Sequence, residues 1–389
     1  MTGSIIGWAH TAFGKHEQET LETLIITAAL EAMRHAGIGP ADVDQIFVGH
    51  FNSGFSRQDF AASLVLQASP DLRFKPATRV ENACASGSAA IYQALNAIDA
   101  GRARHVLVVG AEKMTDARGE AVGKNLLGAS YVQEEGAVRG GFAGLFGQIA
   151  SQYFERHGDQ SDALALIAAK NHRNGVNNPW AQLRKDLGYE FCRMESERNP
   201  LVAGPLKRTD CSPVSDGAAA LVLASDDAAR ASVRAVTFKA ASHVQDFLPM
   251  SLRDPTFLEG CTAAWDQAFR LSHTTLSDLS FVETHDCFTI AELLEYEAMG
   301  LAPHGQGSRV VKEGLTEMGG KLPVNPSGGL KAKGHPIGAT GVSMHVLTAM
   351  QLCNEAPAGM QVAGATLGGV FNMGGTGVAN YASILERIV

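Results

Sequence analysis

Two segments that lie far apart in the chain repeat one pattern. Segment 82–98, NACASGSAAIYQALNAI, and segment 334–350, GHPIGATGVSMHVLTAM, each place a reactive side chain before small residues and then a helix pattern. An apolar strand pattern follows each segment after a short link. Such a repeat indicates a duplicated α/β unit in which the two helix starts face each other.

The rest of the chain also alternates between strand and helix patterns. Residues 20–37 have the apolar spacing of a helix and end at a glycine. Residues 141–158 and 162–186 read as two further helices. Six short apolar runs are predicted to be buried strands: 45–51, 105–112, 219–225, 280–286, 359–369 and 378–386. This alternation predicts the α/β fold class.

Composition excludes several classes of protein. The 389 residues are 45% hydrophobic and 19% charged, which is typical of a globular enzyme and too apolar for disorder. The net charge is -8 and no basic run stands out, so we expect no nucleic-acid partner. No apolar run approaches the ~18 residues of a membrane span, and the first residues do not resemble a signal peptide, so we expect no membrane association.

Six cysteines are scattered without a CxxC pair or metal-type spacing. This usage predicts reduced thiols, a cytoplasmic protein and no metal site. We expect most of the thiols to be small core residues and one or two to be chemical.

Cys84 lies among small residues that allow a tight turn from a strand into a helix. Unpaired backbone N–H groups and the helix dipole favour a thiolate at such a position. The placement therefore predicts a lowered thiol pKa and a nucleophile, with the Cys84 N–H available to an oxyanion. The alternative is a cysteine that only fills space beneath the helix.

His335 lies in the glycine-rich segment 325–341, NPSGGLKAKGHPIGATG. The proline after it suits the first helical turn, which places His335 at or next to the helix cap. A histidine there can take a proton from a thiol or hydrogen-bond an oxyanion. The alternative is a histidine that only completes a turn.

His285, Asp286 and Cys287 follow a predicted strand at the point where a helix begins. Open α/β sheets bind ligands at the carboxyl ends of their strands, and the helix start again favours a reactive thiol at Cys287. Asp286 is at least as well explained as a helix cap, and Cys287 as a core residue. Segment 368–378, GGVFNMGGTGV, offers backbone N–H groups to a ligand or forms a tight hairpin turn.

Together these segments resemble the thiolase superfamily over nearly the whole chain and in the same order. NACASGSAA is similar to the segment of the acyl-accepting cysteine, GHPIGATG to the histidine loop, and CSPVSDGAAALVLAS (211–225) to the end of the first half. The chain carries His-Asp-Cys-Phe at 285–288 where most thiolases have Asn-Glu-Ala-Phe, and Asn-Met-Gly at 372–374 where most have Cys-x-Gly. This exchange resembles the sterol-carrier-protein type of thiolase, in which the cysteine of the His-Asp-Cys-Phe loop is thought to supply the acid/base thiol.

The resemblance implies a five-layered α-β-α-β-α core. The N-terminal half comprises 1–116 and 206–232, the C-terminal half 233–389, and an inserted loop domain 117–205. No fused sterol-carrier domain is expected after the last strand.

The resemblance also implies the roles of the site residues. His335 activates Cys84, which attacks an acyl-CoA thioester, while Cys287 exchanges the second proton. His285 and His335 hold the second thioester oxygen, and the backbone N–H groups of Cys84 and Gly374 form the oxyanion hole.

Coenzyme A and acyl-CoA are the implied substrates, with no permanently bound cofactor. Ser212, Lys207 and Arg208 are candidate contacts to CoA; a turn serine and a solvated charge pair are the alternatives. The resemblance implies a homodimer or homotetramer, with a small accessory protein in some members. It implies thiolysis of 3-ketoacyl-CoA or the reverse condensation. The alternatives are a thiolase-like acyltransferase or retro-aldol lyase acting on a non-CoA acceptor, and a non-catalytic acyl-CoA-binding partner.

Overall fold

The computed structural model describes residues 3–389 of the chain. Its strands are β1 (Gly3–His10), β2 (Gln45–Gly49), β3 (Ala77–Val80), β4 (His105–Lys113), β5 (Leu201–Ala203), β6 (Leu206–Lys207), β7 (Asp216–Ser225), β8 (Val236–Gln245), β9 (Phe281–Glu283), β10 (Leu367–Gly374) and β11 (Ala379–Arg387). Its α-helices are α1 (Leu21–Ala36), α2 (Ala61–Leu64), α3 (Ser86–Asp99), α4 (Glu120–Leu126), α5 (Val132–Glu135), α6 (Phe142–His157), α7 (Ser161–Gly175), α8 (Gly188–Arg193), α9 (Asp226–Arg230), α10 (Glu259–Ser272), α11 (Thr289–Ala298), α12 (Gly307–Lys312), α13 (Gly329–Lys333) and α14 (Ile337–Leu352).

The main sheet has the order β3-β2-β4-β7-β1-β8-β11-β10-β9. Within residues 3–389, two residue pairs, Ser4 with Thr237 and Ile5 with Val236, join its two halves at β1 and β8. Outward from this junction, each half has two antiparallel pairings and then a parallel one. The second half ends with a parallel bridge between Val282 and Val324, at the position that β3 occupies in the first half. The predicted duplication is confirmed by this matched topology.

Helices α3 and α14 pack against each other between the two half-sheets. On the outer face of the first half lies α1, and on the outer face of the second lies α10, so the five predicted layers are present. Glycines permit the close central contact. A Cβ at Gly87 would lie 2.8 Å from the Val342 nitrogen, and a Cβ at Gly341 would lie 2.3 Å from the Ser88 nitrogen. The two helix starts therefore meet, as the repeat predicts.

One strand lies elsewhere than predicted. Residues 359–366 are turns and coil, and the strand is β10 (Leu367–Gly374), which continues through glycines assigned to a turn. The physical reason is packing, since a Cβ at Gly368 would meet Phe281 at 2.8 Å and one at Gly369 would meet Trp265 at 3.0 Å. The turn itself is confined to 375–378, so the segment contains a hairpin turn, and this does not decide whether its N–H groups bind a ligand.

The segment between β4 and β6 carries α4 to α8 and β5. Helix α7 ends at Gly175, short of its predicted end, because the glycine and the Asn177-Asn178-Pro179 run that follows interrupt a helix. The domain boundaries at 117 and 205 stay a prediction. Among residues 3–389, no helix combines the length and the apolar character that a membrane crossing requires.

Candidate active site

Cys84 lies between β3 and α3 in a tight, buried turn. The residue before it, Ala83, has a left-handed φ of 49°. The Ser86 hydroxyl donates to the Ala83 carbonyl at 2.6 Å and accepts from the Asn82 N–H at 2.9 Å, which closes the turn. Because the neighbouring residues are small, the thiol reaches the floor of a cavity while remaining 3% exposed.

His335 precedes α14 and has a defined proton arrangement. Its Nδ1 lies 2.7 Å from the Thr340 hydroxyl, which donates its own proton to the Pro336 carbonyl at 3.0 Å. The hydroxyl oxygen therefore accepts from Nδ1–H, and Nε2 is the basic nitrogen. The Ser215 hydroxyl accepts the His335 backbone N–H at 3.0 Å and fixes the loop.

His285, which follows β9, has the opposite arrangement. The side-chain amide of Asn372 lies with Nδ2 2.8 Å from His285 Nδ1. That Nδ2 also donates to the Cys84 carbonyl at 3.2 Å, which identifies it as the nitrogen. His285 Nδ1 therefore accepts, and the ring proton lies on Nε2, which has no hydrogen-bond partner among residues 3–389. The two imidazoles offer one basic nitrogen and one free N–H donor.

These groups converge on one point. The Cys84 sulfur and one ring nitrogen each of His285 and His335 lie within 4.8 Å of one another. The two rings are 5.1 Å apart and nearly perpendicular, with an interplanar angle of 84°. Cys287 lines the same cavity of about 190 Å³ as Cys84 and His335. The structure thus brings all four predicted side chains together.

Burial sets the protonation of the site. It raises the pKa of the Cys84 thiol to about 12, although the Gly375 backbone N–H partly opposes this. It also raises the pKa of Cys287 well above its usual value, with the nearby Cys84 as the next cause. The predicted lowering of both thiol pKa values is therefore wrong, because desolvation of the charged form outweighs the helix start.

The histidines are neutral in the same surroundings. Burial lowers the pKa of His335 to about 3, and Lys333 adds to the effect. Burial lowers the pKa of His285 well below its usual value, with His335 and Lys333 as further causes. The resting site is a neutral thiol beside two neutral imidazoles, so the thiolate forms only as the proton moves to His335.

This protonation state predicts how Cys84 alkylation depends on pH. Because the thiol pKa is far above neutrality, the thiolate fraction should rise about tenfold per pH unit between pH 6 and 9. We expect the rate of iodoacetamide labelling of the Cys84 peptide, followed by mass spectrometry, to rise in the same way. A rate that is already constant near pH 6 would instead indicate a preformed thiolate–imidazolium pair.

The backbone donor near the sulfur comes from the β10–β11 turn. The backbone N–H of Gly375 favours the charged form of Cys84 and so partly opposes the rise in the pKa of this thiol. Gly374, the predicted donor, is one residue earlier and packs on Asn82, whose carbonyl oxygen would lie 2.5 Å from a Cβ at that position. The oxyanion role of Gly374 stays a prediction, and Gly375 is a donor that the sequence did not single out.

Asp286 has a structural explanation. Its carboxylate accepts the N–H groups of Leu330 at 2.6 Å and Lys331 at 3.1 Å, and the Asn171 amide at 2.7 Å. It therefore caps α13, the helix that leads to His335. The sequence instead suggests that Asp286 caps the helix that begins just after Cys287. Its side chain ties the loop of His285 and Cys287 to the loop of His335.

A groove continues from the cavity along the inserted segment. Its volume is about 860 Å³, and it shares Ser212 with the cavity. Five exposed cationic side chains line it: Lys15, Arg184, Lys185, Arg198 and Arg208. Among residues 3–389 none of the five forms an ion pair within 4.0 Å.

The three predicted CoA contacts differ in position. Ser212 and Arg208 lie in the groove. Lys207 is buried, with its Nζ 3.3 Å from Asp210, and faces that carboxylate instead. The other four cations come from three separate parts of the chain, at Lys15, Arg184–Lys185 and Arg198, so no local pattern in the sequence marked them.

Comparisons with known proteins give the family of the chain. The family "Thiolase, N-terminal domain" matches residues 4–227, and "Thiolase C-terminal domain-like" matches residues 241–387. The chain is 36% identical to an acetyl-CoA acetyltransferase of Methanothermobacter thermautotrophicus over 99% of both chains. It is 31% identical to sterol carrier protein 2 of Oryctolagus cuniculus over 95% of this chain and 70% of that protein.

A solved structure has the same fold. The Ltp2–ChsH2(DUF35) aldolase superimposes with a TM-score of 0.84 at 21% identity, covering 99% of this chain and 97% of the other. The two family matches and the full-length relatives show that this chain belongs to the thiolase family.

Proposed function

We propose that the protein is a thiolase that cleaves 3-ketoacyl-CoA with CoA, or condenses two acyl-CoAs, through an acyl-Cys84 intermediate. One observation carries the proposal. The Cys84 thiol and one ring nitrogen each of His335 and His285 lie within 4.8 Å of one another, in a cavity that adjoins a cationic groove. Family membership supports an acyltransferase, and the relative named acetyl-CoA acetyltransferase supports a CoA thioester as substrate.

In the first half-reaction, Cys84 takes up the acyl group. His335 Nε2 accepts the thiol proton while the sulfur attacks the thioester carbon. The backbone N–H groups of Cys84 and Gly374 stabilise the carbonyl oxyanion, and the Gly375 N–H, which favours a charged Cys84, supports a donor role for this turn. As the tetrahedral intermediate collapses, the bond to the CoA sulfur breaks, and the proton on His335 passes to that sulfur. The products are acyl-Cys84 and free CoA.

In the second half-reaction, Cys287 handles the proton on carbon. In condensation the Cys287 thiol first gives its proton to the neutral His335, and the resulting thiolate removes a proton from the methyl carbon of acetyl-CoA. The carbanion attacks acyl-Cys84, the bond between the acyl carbon and the Cys84 sulfur breaks, and the released Cys84 thiolate takes the proton from His335. The Nε2–H of His285 stabilises the enolate oxygen, and the absence of a hydrogen-bond partner for this nitrogen among residues 3–389 supports that role. In thiolysis the steps reverse, and the Cys287 thiol returns the proton to carbon. A raised thiol pKa suits this task, because a thiolate of high pKa is a stronger base.

The groove is proposed to bind the phosphates of CoA. In a chain of net charge -8, five cations along one groove that form no ion pair with any residue from 3 to 389 favour an anionic ligand. Arg208 and Ser212 keep their proposed contacts to CoA, and Lys15, Arg184, Lys185 and Arg198 join them. Lys207 is not included because it pairs with Asp210.

The cavity is proposed to accept acyl groups longer than acetyl. Around Cys84 it is lined by apolar side chains, among them Met114, Leu126, Phe142 and Phe288. Its volume of about 190 Å³ exceeds the roughly 150 Å³ of an engineered protein cavity that binds benzene. A chain of several carbons, or an aromatic ring, therefore fits beside the thioester.

Ala143, which lines this cavity, tests the proposal. In Ala143→Leu we expect thiolysis of 3-ketooctanoyl-CoA to lose at least about tenfold in kcat/KM, while acetoacetyl-CoA loses only a few-fold, because the added carbons fill acyl space. The matched control is Ala121→Leu on the exposed face of α4, which should leave both substrates unchanged. Equal losses for the two substrates would contradict an acyl pocket at Ala143.

A homodimer is the proposed assembly. Strand β3 forms one edge of the main sheet and is only partly buried. Next to it along the chain, Phe74 is 86% exposed. An unpaired edge flanked by exposed aromatic surface favours pairing with a second copy. A homotetramer, an accessory protein like the DUF35 partner of the aldolase, and a cytoplasmic location stay proposals, which light scattering, pull-down and fractionation can test.

Two assays test the proposed activity. Incubation with acetyl-CoA should add one acetyl group to the Cys84 peptide, and acetoacetyl-CoA with CoA should yield acetyl-CoA. Without the adduct, every covalent mechanism fails, including that of the acyltransferase alternative. An adduct without thiolysis would redirect the assignment to an acyltransferase or lyase acting on a non-CoA acceptor.

A further inference from the structure

Asn372 lies in β10 beneath the site and is fully buried. Its amide makes three side-chain hydrogen bonds. Nδ2 donates to His285 Nδ1 at 2.8 Å and to the Cys84 carbonyl at 3.2 Å, and Oδ1 accepts from the Ser88 hydroxyl at 2.8 Å. It thus touches the nucleophile's backbone and one of the two site histidines.

A rotation of the Asn372 side-chain amide that exchanges Oδ1 and Nδ2 is unfavourable. A carbonyl oxygen only accepts hydrogen bonds, so a flip would set Asn372 Oδ1 against the Cys84 carbonyl. Space is equally restricted, because a Cβ at Gly341 would lie 2.5 Å from Oδ1 of Asn372. The close packing at Gly341 fixes the plane of the amide, and the hydrogen bond to the Cys84 carbonyl determines which end is the nitrogen.

We propose that Asn372 is a positioning residue that keeps the proton of His285 on Nε2, where it serves the enolate oxygen. The role of the Nε2 proton toward the enolate oxygen rests on the thiolase activity proposed above, whereas the position of the proton on Nε2 does not. Without the Asn372 donor, His285 is free to carry its proton on Nδ1, and a bare nitrogen then faces the substrate oxygen. That lone pair repels the developing negative charge.

The same hydrogen bond distinguishes this site from a metal site. One cysteine and two histidines within 4.8 Å form a donor set that suits zinc. A metal-bound histidine normally uses one bare nitrogen and donates its other N–H to an acceptor. Thr340 supplies such an acceptor to His335, but Asn372 presents a donor to His285. Asn372 therefore keeps His285 in the form whose Nε2–H donates a hydrogen bond, and this form disfavours metal binding.

The proton position can be measured directly. In long-range ¹H–¹⁵N spectra of the ¹⁵N-histidine-labelled protein, we expect His285 to show a protonated Nε2 and a bare Nδ1, with the signal assigned by its loss in His285→Asn. Asn372→Ala should give a mixture of the two forms. Ser88→Ala is the matched control, since it removes the bond to Oδ1 but leaves the Nδ2 donor, and it should keep the wild-type form. A wild-type His285 protonated on Nδ1 would overturn the proposal, as would an unchanged spectrum in Asn372→Ala.

Kinetics and metal binding supply the functional readouts. With a chelator present, Asn372→Ala should lower kcat for thiolysis by about 10²-fold with little change in the KM for CoA, the scale of losing one oxyanion donor. Acetylation of Cys84 by acetyl-CoA should persist, which shows that the variant is folded.

In Asn372→Asp the donor becomes an acceptor, and we expect added Co²⁺ to give a thiolate-to-cobalt absorption band. That band should be absent in wild type and lost again when Cys84→Ala is added. Equal Co²⁺ binding by wild type and Asn372→Asp, or an unchanged kcat in Asn372→Ala, would overturn the role of Asn372.

Discussion

Replacing Cys84 with alanine is expected to lower thiolysis of acetoacetyl-CoA by at least about 10³-fold and to abolish the acetyl adduct. Removal of a nucleophile costs on this scale or more, because the covalent intermediate cannot form. The fold should survive, since the loss of one buried sulfur leaves a small cavity and the turn is closed by Ser86. A spectrophotometric thiolysis assay measures the activity, and urea denaturation measures the free energy of unfolding.

The matched control for Cys84 is Cys192→Ala. Cys192 is also fully buried, but it packs with α7 and does not line the cavity. Both variants should lose similar free energy of unfolding, while only Cys84→Ala loses activity. Thiolysis above a few per cent of wild type in Cys84→Ala would mean that another group carries the acyl chain.

The sequence repeat was sufficient to predict the meeting of the two helix starts. Cys84 and His335 occupy equivalent positions in two copies of one unit, and a duplicated sheet places such positions opposite each other. The glycines that let α3 and α14 touch are also in the repeat, at Gly87 and Gly341. The local sequence pattern and the global topology agree here, so the sequence alone was sufficient to predict that the two helix starts meet.

Other properties of the site depend on contacts between distant segments. The pKa of Cys84 follows from its burial, and a local pattern of small residues does not reveal how completely the inserted segment covers it. The proton on His285 depends on Asn372, 87 residues away in sequence. The cations of the groove come from four separate parts of the chain between Lys15 and Arg208. Spatial convergence of this kind leaves no spacing in the sequence to detect.

Replacing Cys287 with alanine is expected to separate the two half-reactions. Acetylation of Cys84 needs His335 and the backbone donors, so the acetyl adduct should form at close to the wild-type level. Thiolysis of acetoacetyl-CoA should fall by about 10²- to 10⁴-fold, the usual contribution of a general acid or base. Exchange of the methyl protons of acetyl-CoA with D₂O, followed by NMR, should fall in parallel because it reports the proton transfer at carbon alone.

Cys261→Ala is the matched control for Cys287, because both thiols are buried and burial raises the pKa of each well above its usual value. Cys261 lies in α10 and does not line the cavity, so all three measurements should stay at wild-type levels. If Cys287→Ala keeps proton exchange, the base at carbon is another group, and His335 is then the nearest candidate. If instead Cys287→Ala loses the Cys84 adduct while its free energy of unfolding matches that of the control, the two thiols act in one step. A purely structural effect would lower the free energy of unfolding of Cys287→Ala below that of the control.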